Sequence, residues 1–265
     1  VTAALALGIA GGAGSAQAAT LPTLTLTVGA SSISVAGATQ AGAVNVVATA
    51  SGAGKEPAVI LFALRPEATA AELFKAIETG KDPNVATKFG SIVFDNEALP
   101  GKGSEAQTLL TAGKYVALVT EGEGKPKAHT EFTVTTSTSP VALPTPEATE
   151  KTIEFGFRGP STLHDGELVQ WENEGFLVHM DFALPVKSKA AAKRLVKDLL
   201  TGNERAAGKL IAGQPFGAGP LSTGGFQQTT VTAKPGWYVQ ACFMDTQDGR
   251  QHTQLGMERI IKITK

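Results

Sequence analysis

The chain is poor in the residues that carry soft-metal and redox chemistry. Its 265 residues include one cysteine, three methionines and four histidines. A single cysteine excludes an internal disulfide framework, and in an exported chain it points to a free thiol, an intermolecular bridge or a metal ligand. No Gly-x-Ser-x-Gly surrounds Ser161, Ser188 or Ser222, which removes the commonest serine-hydrolase setting. The Gly-rich stretch from Gly213 to Pro220 lacks the Lys and Ser/Thr of a phosphate loop and reads as a surface loop. Net charge is −1, and no basic run alternates with aromatics, which argues against a nucleic-acid partner.

Long apolar runs are also missing after the first residues. Val1 to Gly14 is small and apolar, and Ser15-Ala16-Gln17-Ala18 ends in an Ala-x-Ala pattern. Residues 1–18 therefore read as a truncated secretory signal peptide, too short and too rich in Gly and Ala for a membrane span. The expectation is a secreted, extracytoplasmic and soluble protein.

What is present is a duplication. Thirty glycines accompany short Val- and Thr-rich alternating segments, a pattern of strands and turns. The Thr/Ser/Pro-rich stretch 137–150 reads as a linker between residues 20–136 and 151–265. Phe62-Ala63-Leu64 matches Phe182-Ala183-Leu184. A short helical pattern follows each, with a glycine stop at Gly80 and Gly202. The step from Tyr115 to His129 equals that from Tyr238 to His252. Alternating positions run Leu24–Val28, Val44–Val46, Val59–Leu61, Tyr115–Val119 and Phe132–Val134 in the first copy. The second gives Ile153-Phe155-Phe157, Leu168–Gln170, Phe182–Leu184, Thr229–Val231, Tyr238–Cys242 and Ile261–Ile263. The expected fold is mainly β: two Greek-key β-sandwich domains in tandem, each with a short inserted helix. The helix near 190–200 carries Leu195, Val196 and Leu199 on one side and Lys189, Lys193, Arg194 and Lys197 on the wet side.

The second copy holds the soft-ligand set. Cys242 is followed after nine residues by His252, then by Met257, and His179 lies upstream. Thiolate, two imidazoles and a thioether are the donors of a trigonal blue-copper site. The first copy has Val59 where the second has His179, and Val119 where it has Cys242, as if a site had been given up there.

Three segments carry a family resemblance: Trp171-x-Asn173-x-Gly175-Phe176-x-x-His179, Gly236-x-Tyr238-x-x-x-Cys242, and His252-x-x-x-Gly256-Met257. In these the chain resembles the cupredoxins, plastocyanin-like domains in particular, over most of 151–265. The resemblance implies one type 1 copper held by His179, Cys242 and His252 with Met257 as weak axial ligand, and an electron-transfer role. Asn173 would brace the loop carrying His179 or hydrogen-bond near the sulfur. A carrier of this kind would bring His252 to the surface. The nine-residue loop departs from small plastocyanin-like carriers, whose loop is shorter, and matches copper nitrite reductases better.

Two-domain oxidases and reductases of this family need further copper centres rich in histidine. Ala241 stands where one such histidine would precede the remaining site, and only His129 and His164 are left over. The expectation is therefore not an enzyme, with an unidentified redox protein or another extracellular protein as partner. Each ligand also has a plain structural reading: buried Cys242, core Met257, a strand-end His179 and an exposed His252. A metal-free extracellular binding module on a degenerate cupredoxin scaffold is the alternative.

Overall fold

A computed structural model describes residues 20–51, 57–79, 83–101, 103–120 and 126–265. The signal-peptide segment and the Gly80 helix stop lie outside the described residues.

Alternating burial along each segment builds four sheet layers. In the N-terminal half, β1 (Thr23–Val28), β2 (Ile33–Gly37), β3 (Gly42–Ala50) and β6 (Ser104–Leu110) lie in the order β2-β1-β3-β6. Against them pack β4 (Ala58–Leu64), β5 (Gly90–Glu97), β7 (Gly113–Thr120) and β8 (Ala128–Val134), in the order β5-β4-β7-β8. Leu24, Leu26, Val46, Leu61, Phe94 and Ala117 fill the space between these sheets.

The C-terminal half repeats the plan. Here β9 (Ala148–Ile153), β10 (Gly156–Arg158), β12 (Leu168–Asn173) and β15 (Phe226–Thr230) lie in the order β10-β9-β12-β15. The facing sheet is β11 (Thr162–His164), β17 (Glu258–Thr264), β16 (Gly236–Ala241), β13 (His179–Val186) and β14 (Phe216–Leu221), in the order β11-β17-β16-β13-β14. The parallel pair β1–β3 recurs as β9–β12, and the antiparallel run β5-β4-β7-β8 recurs as β14-β13-β16-β17. Both Tyr115 and Tyr238 donate from the hydroxyl to the carbonyl four residues earlier, at 3.0 and 2.8 Å. That corner bond accounts for the matched Gly-x-Tyr segments.

The inserted helices are α1 (Ala70–Thr79) and α2 (Lys189–Leu200), followed by the short α3 (Glu204–Gly208). Ser188 caps α2 by accepting from the Ala191 amide at 3.1 Å. Ala192, Leu195 and Leu199 are the buried side of α2 and join Leu184, Val239 and Ala241 in a second apolar layer. The lysines of α2 lie on its exposed face.

Three details differ from the sequence reading. The expected linker 137–150 ends early, because Ala148, Thr149 and Glu150 already pair with β12. The alternation Ile153-Phe155-Phe157 is not one strand but the hairpin β9–β10, with Phe155 turned to a φ of 54° at the bend. Alternating apolar residues cannot tell a strand from a tight hairpin. Finally, the stretch 213–220 is a surface loop only over 213–215: Phe216–Leu221 forms β14, at the boundary between the halves. Its glycines serve close approach. A Cβ on Gly219 would lie 2.1 Å from Asp95 Oδ1, and one on Gly217 would lie 1.9 Å from the Asp181 carbonyl oxygen.

The halves share a sheet. Gln107 in β6 pairs with Gln228 in β15, joining the two outer layers into eight strands.

Candidate metal centre

His179 opens β13 and Cys242 follows the last residue of β16, so neighbouring strands bring them to one end of the sandwich. His252 arrives by a different route. After Cys242 the chain makes a polar hairpin closed by the Asp245–Gln251 bridge. Thr246 donates to the Arg250 carbonyl at 2.9 Å, and Gly249 takes a φ of 78° at the bend. The hairpin absorbs the nine residues and returns the chain beside Cys242. His252 then begins a 3-10 turn over His252–Leu255. Gly256 ends it at a φ of 92°, a left-handed position that suits glycine. This reversal lets the Met257 amide donate to the His252 carbonyl at 3.1 Å, while the Met257 carbonyl accepts from the Cys242 amide at 3.4 Å.

The donor atoms converge. His179 Nδ1 and His252 Nδ1 are 3.1 Å apart, and Cys242 Sγ lies 3.8 Å from the first and 3.3 Å from the second. The triangle is acute, and its circumcentre lies about 2.0 Å from each corner, the length of a metal–imidazole bond. Among the described residues these three form the one group of metal-competent His, Cys, Asp and Glu side chains. They are 1%, 0% and 0% exposed. Met257 is fully buried in the same turn.

Electrostatics prepares the donors unequally. Burial pushes the Cys242 thiol up to about 12, although the Met180 and Met244 amides pull it back. The Met180 amide points at the sulfur from 3.4 Å. Burial also lowers the His179 pKa, against Glu154, whose Oε1 stands 3.5 Å from Nε2. His179 is thus a neutral imidazole around pH 7, ready to ligate, while the thiol needs a cation to displace its proton. A soft or borderline transition metal fits this donor set.

Asn173 performs the first of its two expected roles. Its Nδ2 donates to the Leu177 and Leu221 carbonyls at 2.7 and 2.8 Å, and its Oδ1 accepts from the Gly175 amide at 2.9 Å. It braces the loop before His179, and the hydrogen bond at sulfur comes from Met180 instead.

The expectation that His252 reaches the surface is corrected. Phe155 stands edge-on to its ring, with centroids 5.2 Å apart, and closes it off from solvent. The positive φ of Phe155 costs about 1–2 kcal/mol, which the surrounding contacts must offset. Glu154 beside it accepts from the Phe176 and Leu177 amides. Neither residue was found from sequence, because both sit in what read as a strand interior.

A second polar feature escaped sequence reading. Below His179, Gln240 Nε2 donates to Asp181 Oδ2 at 2.9 Å and to Glu150 Oε2 at 3.2 Å, and Arg259 pairs with Glu150. Burial and the Glu150 charge raise the Asp181 pKa well above the carboxylate range.

The first half lacks the donors. Val59 and Val119, the sequence matches of His179 and Cys242, face one another across β4 and β7, in a register two residues away from that of β13 on β16, where Tyr238 pairs with Pro185. His129 is exposed on β8 and stacks on Phe74 with centroids 4.2 Å apart. His164 is exposed on β11 beside the Thr264 hydroxyl.

No protein-family model and no curated protein matches the chain. Solved structures similar to it include a reduced auracyanin from Roseiflexus castenholzii, 17% identical over 44% of this chain and 95% of that one, TM-score 0.29. Auracyanin A, a blue copper protein from Chloroflexus aurantiacus, is 19% identical over 44% and 96%, TM-score 0.27. A copper nitrite reductase from Nitrosomonas europaea is 12% identical over 92% and 94%, TM-score 0.23. The fold is cupredoxin-like. That assignment follows from the repeated two-sheet plan described above, and it places the His-Cys-His group at one end of the second cupredoxin-like sandwich.

Proposed function

We propose that the protein is an exported cupredoxin that holds one type 1 copper in its C-terminal sandwich and carries single electrons. The observation that carries this reading is the triangle of His179 Nδ1, His252 Nδ1 and Cys242 Sγ. Met257, buried just after the His252–Leu255 turn, would be the thioether donor. When bound, copper would supply a one-electron couple that a constrained soft site serves with little rearrangement. The protein's own part is to keep two imidazoles and one sulfur fixed in a dry pocket. Asn173 holds the loop, the Met180 amide supports charge on sulfur, and Phe155 excludes water.

The role is electron transfer rather than catalysis, because His129 and His164 stand outside the group. Export, the division into domains about the 137–147 connection, and a redox protein as partner belong to the same reading. No helix among the described residues is long and apolar enough to cross a membrane.

The test is anaerobic loading with Cu(I), oxidation, then visible absorption and EPR. The expected result is an intense thiolate-to-copper band at one copper per chain, lost in Cys242→Ser. A folded protein that takes up no copper in this way would instead be a metal-free binding module.

A further inference from the structure

Among the described residues the N-terminal sandwich holds no metal-competent group, and the structure suggests what it does instead. Val178, the residue before His179, does not pack in its own sandwich. It is fully buried in a cluster of the first half with Phe62, Leu64, Leu73 and Val116. Its amide donates to Asn84 Oδ1 at 2.7 Å. Met244, two residues after Cys242, packs against the same cluster, and its carbonyl accepts from the His252 amide at 2.8 Å. Residues next to, or bonded to, all three donors thus rest on the other half of the molecule.

That support is itself fixed. The Ile92 amide donates to Ser222 Oγ at 2.9 Å, and the Ser222 amide donates back to the Ile92 carbonyl at 3.1 Å. Ser222 directly follows Leu221, the β14 partner of His179. Thr108 Oγ1 donates to the Phe226 carbonyl at 2.9 Å, and the Asp95 amide donates to Gln227 Oε1 at 3.2 Å. Hydrogen bonds fix the relative setting of two bodies in a way apolar contact alone does not, because each has a preferred direction.

We infer that the N-terminal sandwich is a brace for the metal centre, and that Asn84 is a positioning residue which sets the orientation of His179 through the Val178 amide. The physical reason is leverage. A metal ligand is oriented by what holds its neighbours, and a backbone pinned on both sides allows the ring few settings. The inference rests on the copper reading only for its consequences at the metal; the pinning of Val178 exists without it.

The test uses the full chain as wild type, Asn84→Ala and Asn84→Asp, the last retaining an acceptor oxygen. In the metal-free protein, exchange of the Val178 amide should quicken about tenfold in Asn84→Ala and stay within about twofold in Asn84→Asp. The His179 ring nitrogen shifts should move with it, while β16 amides stay unchanged. In the copper-loaded protein, Asn84→Ala should alter the EPR hyperfine splitting and the midpoint potential, and Asn84→Asp should restore both. Uniform acceleration of all amides, with Val178 and His179 not singled out, would overturn the brace. So would unchanged Val178 exchange, or unchanged splitting and potential in a copper-loaded Asn84→Ala. If wild type takes up no copper, the copper reading fails while the amide and ring signals still decide the brace. If Asn84→Ala does not fold, wild-type Val178 decides it: protected exchange supports the brace, and exchange at the rate of an exposed amide overturns it.

Discussion

Cys242 is held as a thiol by its surroundings, with burial pushing it up to about 12. Any metal that takes the sulfur must expel that proton. Loading at pH 7.5 should therefore release about one proton per ion, and affinity should rise about tenfold per pH unit below the thiol pKa. Calorimetry in buffers of different ionisation enthalpy measures the release, and uptake without it would mean the sulfur is not a ligand. Asn173 makes three buried hydrogen bonds at once, to Leu177, Leu221 and Gly175. Replacing it by Ala removes all three bonds, leaving the Gly175 amide only its bond to the Thr152 carbonyl, and should cost about 2–4 kcal/mol, read as a lower midpoint in urea. At this scale the sequence was informative where chemistry is rare. One thiol, few imidazoles and three methionines leave little choice of ligands. Glu154 and Phe155 are common residue types whose role depends on a bend, and nothing in their spacing marks that bend.

At the scale of elements, the long hairpin after Cys242 and the strand β14 teach opposite lessons. Asp248-Gly249 signals its turn in the sequence, and the turn is there, with Arg250 paired to Asp248 at 2.7 Å. The glycines of β14 signal a loop, yet they serve a strand pressed against Asp95 and the β13 backbone. Gly217 and Gly219 look like loop residues because close approach between two chain segments leaves no local pattern. Gly219→Ala places a methyl group where the Asp95 carboxyl lies. The change should cost about 1–3 kcal/mol from overpacking, with a matching fall in thermal midpoint. A variant as stable as wild type would show that the two halves are not in register at this strand.

For the whole molecule, the duplication was legible from matched short words, and the topology repeats apart from β11, which adds a fifth strand to the second half's sheet. How the halves join was not legible, since the Gln107–Gln228 pairing and the Asn84–Val178 bond link residues far apart in the chain. Acids are also buried, Asp95 at the joint and Glu150 within the C-terminal sandwich. Burial, then the Glu97 charge, raises Asp95 to about 8. Burial raises Glu150 to about 7, although Arg259 and Gln240 pull it down. A carboxyl whose folded pKa is raised holds its proton more tightly in the folded state. Its favourable contribution is therefore full at acid pH and is lost as pH climbs from about 4 to about 8. The lowered pKa of His179 acts the other way below pH 6.5, but it stands against Asp95, Glu150, Asp181 and Glu258, all raised by burial. Metal-free protein should thus be more stable near pH 5.5 than near pH 8.5. Asp95→Asn should flatten that slope, as denaturant midpoints across the range would reveal; a midpoint that rises with pH would contradict it.

The most direct measurement is anomalous diffraction at the copper edge from crystals of the loaded protein. The expected result is one copper inside the triangle of His179 Nδ1, His252 Nδ1 and Cys242 Sγ, at about 2.0–2.3 Å from each. Copper found only at the exposed His129 or His164, or a triangle left empty at full occupancy elsewhere, would contradict the proposed site.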